Sequence, residues 1–552
     1  MARGRKELVF LPLGGAGAIG MNLSLYGYGD KWIMVDCGIT FGDERTPGIE
    51  VMVPDTTFIT AQGIDLLGIV LTHAHEDHLG AVPYLWEELG CPVYGTPFAC
   101  GLLRRKLAEV GLQDRVPLRE VPCGGGIDIG PFGIEMIPLA HSIPETQALA
   151  IRTPAGTVLH ATDWKLDPTP LIGPVTDEAA LRRVGEAGVI AMMCDSTNVF
   201  VDGRSRSEGP LRDSLGDVVG RCPKRVAVAC FASNVARVES CVAAARASGR
   251  HVGLVGRSLW RIVEIARECG YLRDCPDFLE AADIDYLPRE EQLLIVTGSQ
   301  GETRAALTRI AAGDHPEIEL EEDDTVIFSS KEIPGNERAI GRVHNQLARR
   351  GVRVVTERDA FVHVSGHPAR DELKTLYGWV RPELLVPIHG ETRHLAEHLR
   401  YAADCGIPDA VMAENGSMLR IHPRPAMIID EVPTGRLAVD GKRIIPVDGE
   451  VLRARRRMGY GGVAVATVVL DRKGRLHEEP QLSVPGLVDG ADEDQTLHDA
   501  AVAAIADAVD GLSSSARRDD GEVTGAALRA IRQVFREELG RRPLAEVHVV
   551  RI

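Results

Sequence analysis

The chain has 552 residues, 44% hydrophobic and 26% charged, a length that suggests about two to four domains rather than one core. No run of about 18 uncharged apolar residues occurs, so no transmembrane helix is expected, and a net charge of −17 counts against a protein that coats nucleic acid through a broad basic face. The 11 cysteines include no CxxC pair, which argues against a zinc ribbon or disulfide framework and for reduced thiols in a cytoplasmic protein.

Met1–Lys6 is basic, but the glycine-rich stretch Leu8–Gly20 lacks the apolar core of a signal peptide. Glu7–Leu13 predicts a strand. Met21–Tyr28 and Lys31–Cys37 predict a hairpin around Gly29-Asp30. Leu66–Leu71 predicts a short strand running into a histidine-rich segment, with a helix body over Leu79–Leu89. Strands and helices then alternate to about residue 215. From Arg225 the pattern changes to βα units: strand Val226–Phe231, helix Val235–Ala247, strand His251–Val255 and helix Ser258–Cys269. That pattern suggests a separate, doubly wound insertion reaching about residue 355. Strand-like pieces bearing more histidines occupy about 360–440. Residues 433–460 hold a linker candidate with a basic cluster, Arg453, Arg455, Arg456 and Arg457, read as solvated linker in preference to an RNA contact. The tail predicts a strand (Gly462–Leu470), two helices (Gln495–Val509 and Ala526–Leu539) and a final strand (Leu544–Ile552).

The sharpest chemical signal is Thr72-His73-Ala74-His75-Glu76-Asp77-His78, with three histidines and an aspartate in six residues after a strand. Neutral imidazoles and a carboxylate are the ligands zinc prefers. His73 and His75 are two apart, so at a strand end they point the same way. Asp77 and His78 turn over the start of the following helix, so the segment can serve two neighbouring metals. His141 (Pro138-Leu-Ala-His-Ser142), Asp163 (His160-Ala-Thr-Asp-Trp164) and Asp36 (Met34-Val-Asp-Cys-Gly38) each sit at a strand end elsewhere in the chain. Three more segments carry histidines or aspartate: Cys194-Asp-Ser-Thr-Asn198, His363-Val-Ser-Gly-His367 and Val386-Pro-Ile-His-Gly-Glu391.

The HxHxDH segment and its successors resemble the metallo-β-lactamase superfamily. Asp195, His367 and His389 resemble motifs A, B and C of its β-CASP nucleases. Gly14–Gly20, Gly298–Glu302 and Ser329–Glu337 are similar to segments of the ribonuclease J family. The resemblance covers roughly residues 7–440. It implies an α/β fold: an αββα metallo-β-lactamase sandwich with an inserted doubly wound β-CASP domain and a small α+β C-terminal domain. The implied divisions are 1–215 and 361–440 for the sandwich, 216–360 for the insertion, 441–460 for a linker and 461–552 for an oligomerisation domain.

By the same resemblance, His73, His75 and His141 would bind one Zn2+, and Asp77, His78 and His389 a second. Asp163 would bridge them, and Asp36 would orient ligands. The implied cofactor is two Zn2+ per subunit, with Mn2+ or Mg2+ in support. Asp77, His78, Asp195 and His367 would be catalytic, His367 contacting the scissile phosphate. The implied activity is hydrolysis of single-stranded RNA, 5′-to-3′ on 5′-monophosphorylated ends with endonuclease cleavage left open, in RNA processing and decay. Its rivals are a hydrolase of small esters or thioesters and a non-catalytic RNA-binding paralogue. Self-association through the tail, as homodimer or homotetramer, is also implied. Lys331, where relatives are expected to carry a small polar residue, is a departure beside the RNA path.

Gly15–Gly20 matches GxGxxG, but a dinucleotide site needs a helix after the glycines, and a hairpin is expected there. No nucleotide cofactor follows. Ser233 and Asn234 precede a helix and serve equally well as N-caps or as donors to a phosphate. With His363, Ser365 and His367 they would make the 5′-phosphate pocket that the resemblance implies.

Overall fold

Two mixed β-sheets stacked face to face dominate the computed structural model, which describes residues 7–333, 335–489 and 492–552. The basic segment Met1–Lys6 and Pro334, inside the Ser329–Glu337 segment, lie outside the described residues. The chain divides into two units: residues 1–40 with 53–435, and residues 41–52 with 436–552.

In the first unit, one sheet has eight strands and centres on Leu8–Gly14, Leu23–Tyr28, Lys31–Val35 and Asp65–Val70. The other has seven and centres on Gln147–Thr153, Gly156–Ala161, Ala191–Asp195 and Leu384–Ile388. Side chains on a strand alternate between faces. Accordingly Phe10, Tyr26, Ile33 and Val70 meet Met136, Leu149, Val158, Met193 and Val386 in a dry core between the sheets. The alternate residues Ala148, Ala150, Leu159, Met192 and Leu385 face the other way. They pack on Leu181 and Val184 of helix Glu178–Ala187 and on Leu373, Leu376 and Tyr377 of helix Arg370–Val380. This is the layered sandwich that the sequence implied.

The insertion forms a five-stranded, wholly parallel sheet in the order 251–255, 292–296, 226–229, 325–328, 353–355. Its strands read as unbroken apolar runs because helices cover them, as parallel sheets require. Helix Val235–Ala247 and strand His251–Val255 fall where periodicity placed them.

Two expectations need correction. The helix body over Leu79–Leu89 is two helices, Glu76–Leu79 and Val82–Leu89, because the Ala81 N–H is drawn to the Cys37 carbonyl at 2.9 Å. Asp77 and His78 therefore sit on a separate short turn. Residues 441–460, expected as a linker, hold strand Arg443–Pro446 and helix Glu450–Gly461. Leu452 buries against Ile49, Met52 and Ala438, and Arg455 of the basic cluster chelates Asp440 at 2.8 and 2.9 Å.

The second unit ends in a three-stranded sheet in which Val463–Leu470 runs parallel to Leu544–Arg551. Helices Asp492–Asp510 and Asp520–Leu539 cover it, the latter through Val523, Ile531 and Phe535. All 11 cysteines are free thiols. No described helix is long and apolar enough to cross a membrane.

Candidate metal centre

The site is built from strand ends of both sheets at one edge of the sandwich. Strand Asp65–Val70 delivers His73 and His75, Gly156–Ala161 delivers Asp163, Ala191–Asp195 ends on Asp195, and Leu384–Ile388 delivers His389. His389 and Asp36 both adopt left-handed backbone, φ 51° and 61°, a conformation that non-glycine residues hold only when their surroundings compel it. At Asp36 the cause is visible. Its carboxylate accepts from the Thr72 N–H, the Thr72 hydroxyl and His78 Nδ1, each at 2.8 Å. Two residues on, a Cβ at Gly38 would stand 1.7 Å from the Asp77 carbonyl oxygen, so only glycine lets these two segments touch.

Two clusters of donor atoms result. In the first, His75 Nδ1 lies 3.0 Å from His73 Nε2 and 3.1 Å from His141 Nε2, and Asp163 Oδ2 is 3.7 and 3.5 Å from the latter two nitrogens. In the second, His78 Nε2 and His389 Nε2 lie 3.5 and 4.0 Å from Asp77 Oδ2, and 3.3 and 3.6 Å from Asp163 Oδ1. Asp163 thus turns one oxygen to each cluster. Donors on one tetrahedral Zn2+ stand roughly 3.3 Å apart. Imidazole nitrogens converging at that spacing cannot all satisfy one another by hydrogen bonding, so both clusters fit a cation. The far ring nitrogens are already tied down. His141 Nδ1 donates to the Gly366 carbonyl at 2.7 Å, and His78 Nδ1 to Asp36, which fixes tautomer and ring orientation.

In the first cluster the protonation states agree with a ligand role, since metals bind neutral imidazole and ionised carboxylate; in the second, burial opposes charge on His78, but the carboxylates of Asp163, Asp77 and Asp36 outweigh it and raise its pKa well above the ordinary histidine range. Burial holds His73 and His141 well below the ordinary histidine range and pushes His75 down to about 4. Burial works against ionised Asp163, but His389, His78 and His367 more than offset it and hold its carboxyl low. Beside the clusters, His367 Nδ1 donates to Asp195 Oδ2 at 2.7 Å. Burial opposes charge on His367, yet Asp195 and Asp163 outweigh it and raise its pKa to about 9. The His367 side chain keeps 22% of its surface, enough to meet a substrate.

Asn22 escaped the sequence reading. Its side-chain amide bonds the Asp77 carbonyl at 3.0 Å and approaches His78 Nε2 at 3.0 Å and His389 Nδ1 at 2.9 Å. The only signal was its place directly after the Gly14–Gly20 segment. That segment is a connection under the site: the His389 N–H bonds the Gly15 carbonyl at 2.6 Å, and the hairpin that follows leaves no helix for a dinucleotide.

The expected phosphate residues are placed unequally. Asn234 is committed as an N-cap, accepting from the Arg237 N–H at 2.9 Å. Ser233 lines a cavity of about 230 Å³ with Ala74 and Glu76, the neighbours of His75. The Ser365 hydroxyl accepts from Asn198 Nδ2 at 2.8 Å and from the His367 N–H at 3.2 Å. His363 Nδ1 is buried without a hydrogen-bond partner. Burial, with the charges of Arg237, Lys331 and Lys165, lowers its pKa to about 3.

Comparison with known proteins agrees with this architecture. Family models match residues 18–180 (metallo-β-lactamase superfamily), 223–347 (ribonuclease J, β-CASP domain), 351–410 (Zn-dependent metallo-hydrolase RNA specificity domain) and 450–552 (ribonuclease J C-terminal domain). The chain is 42% identical to ribonuclease J of Sinorhizobium meliloti over 551 residues, 99% of this chain and 98% of that one. It is 38% identical to ribonuclease J of Mycolicibacterium smegmatis over 544 residues, 98% and 96% of the two chains. A solved structure of a protein of unknown function from Enterococcus faecalis covers 75% of this chain and all of its own at a TM-score of 0.52 and 16% identity, a likeness of fold alone.

Proposed function

The chain belongs to the ribonuclease J family and is a metal-dependent ribonuclease of RNA processing; from that premise we propose that it degrades 5′-monophosphorylated single-stranded RNA from the 5′ end, using two Zn2+ per chain. The observation that carries the reading is Asp163, with one oxygen toward each histidine cluster and His367 beside both. His73, His75 and His141 would hold one ion, Asp77, His78 and His389 the other, with Asp163 between them. Bound there, the ions supply Lewis acidity that acidifies water and offsets charge growing on the phosphate oxygens.

The chain's own groups do the rest. His367, its Nδ1 fixed on Asp195, carries a proton on Nε2 and gives it to the departing 3′ oxygen, leaving a 5′-phosphate product and a 3′-hydroxyl. Asn198 locks Ser365 and the His367 carbonyl (2.8 and 3.0 Å), so this segment is positioned before substrate arrives. Ser233, Asn234, His363 and Ser365 would receive the RNA's terminal phosphate; of the cations acting on His363, Arg237 and Lys165 are already paired with Glu208 and Asp167. We place the enzyme in the cytoplasm, divide it at 215 and 360, and assign self-association to residues 461–552. Hydrolysis of small esters is the second reading, supported only by the acidic net charge.

The test is cleavage of body-labelled RNA bearing a 5′-monophosphate, the same RNA with a 5′-triphosphate, and matched single-stranded DNA. Mononucleotide release from the monophosphorylated RNA alone supports the reading. Cleavage of none of the three by metal-loaded enzyme would move small-ester hydrolysis to first place.

A further inference from the structure

Phe200 follows motif residue Asp195 by five positions and keeps 50% of its surface exposed, although it is a large aromatic on a loop with little freedom. That loop is pinned throughout. The Thr197 hydroxyl bonds the His389 carbonyl at 3.2 Å, Asn198 bonds Ser365 and the His367 carbonyl, and Arg370 takes the carbonyls of Val199 and Val201. The loop therefore moves with the catalytic edge.

One edge of the Phe200 ring is already supported. His394 packs against it in a T-shaped contact, centroids 5.3 Å apart and planes at 64°. His394 is itself 93% buried, its Nδ1 without a hydrogen-bond partner and 3.7 Å from Glu391 Oε2. A Cβ on Gly390 would stand 2.9 Å from His394 and 3.0 Å from Ser196, so His394 lies directly behind residues adjacent to His389 and Asp195. A rigid, half-exposed aromatic beside a site that cuts nucleic acid is the kind of platform proteins use to hold single strands without reading their sequence.

We propose that Phe200, backed by His394, is a stacking platform for one base of the single-stranded RNA at the catalytic edge. This rests on the ribonuclease reading and adds to it a substrate-positioning residue that selects single strands, since a paired base cannot offer its face.

The test compares the metal-loaded full chain with Phe200→Ala and Phe200→Trp. Substrates are 5′-monophosphorylated RNAs carrying a single abasic ribose walked through the first six positions. Binding is read in parallel from 2-aminopurine fluorescence at each position. Stacking on one aromatic is worth about tenfold, so Phe200→Ala should raise KM about tenfold with kcat within about twofold, while Phe200→Trp stays near the parent. At one abasic position parent and Phe200→Ala should become equal, and 2-aminopurine there should lose its quenching only in Phe200→Ala. A KM for Phe200→Ala within twofold of the parent on intact RNA, or a defect undiminished at every abasic position, would overturn the platform. Were the parent to cleave no RNA, the ribonuclease reading would fall, and the fluorescence arm would still decide whether Phe200 stacks.

Discussion

His367 Nδ1 donates to Asp195 Oδ2 across 2.7 Å, joining residues 172 positions apart on either side of the insertion. Asp195 is wholly buried and His367 partly open, so the carboxylate acts on the imidazole and has no other route to substrate. Burial opposes charge on the imidazole, but Asp195 together with Asp163 raises the histidine to about 9, which keeps it a proton donor through neutral pH.

Replacing Asp195 by Asn should therefore cost about 10²–10⁴ in kcat, the usual range for lost general-acid work, with little change in bound metal. The pH profile carries the sign. A group that must be protonated loses activity as pH rises through its pKa, so the alkaline limb near 9 should shift down toward the ordinary histidine value in Asp195→Asn. A limb that does not move would remove His367 from the proton-donor role.

Asp36 should be read out through metal affinity rather than turnover alone. It touches His78 and Thr72 but neither cluster's centre. Asp36→Ala frees His78 Nδ1 and the Thr72 hydroxyl that sits 3.0 Å from His73 Nδ1. Losing such a supporting group costs about 10–100-fold in metal affinity. Competition with a chromophoric chelator measures it, and an affinity equal to the parent's would show that the ring orientations are held without Asp36.

Glu208 and Arg237 supply a stability test away from the chemistry. The Arg237 guanidinium is fully buried, 3.2 Å from Glu208 Oε2, and bonds the Ser329 and Val362 carbonyls. Removing one partner leaves a buried unpaired charge, a loss of about 3–5 kcal/mol. Glu208→Ala should lower the thermal midpoint by roughly 2–4 °C per kcal/mol for a domain of this size, whereas Glu178→Ala, in an exposed pair with Arg182, should change it little. Equal midpoints for the two variants would show that the pair does not hold the insertion's first helix in place.

Much of the site could be read from the chain because its chemistry is local. His73, His75, Asp77 and His78 occupy six residues, and their spacing alone calls for a metal. Asp163, Asp195, His367 and His389 were each found at the end of a strand or in a short motif that resemblance could recognise. Asn22 was not, because an asparagine after glycines carries no chemical signature until folding brings it 55 positions forward onto Asp77. The Glu208–Arg237 pair was silent for the same reason. Helix boundaries failed where tertiary hydrogen bonds won over periodicity, as at Ala81. The linker expectation failed because arginines that look solvated in one dimension, Arg455 above all, find a carboxylate in three.

The most direct measurement is metal content and RNA cleavage on one preparation of the parent and of Asp163→Ala. Two metal ions per chain are expected in the parent and one or fewer in the variant, with loss of at least about 10³ in cleavage of 5′-monophosphorylated RNA. Full cleavage by Asp163→Ala, or by a preparation stripped of metal, would contradict it.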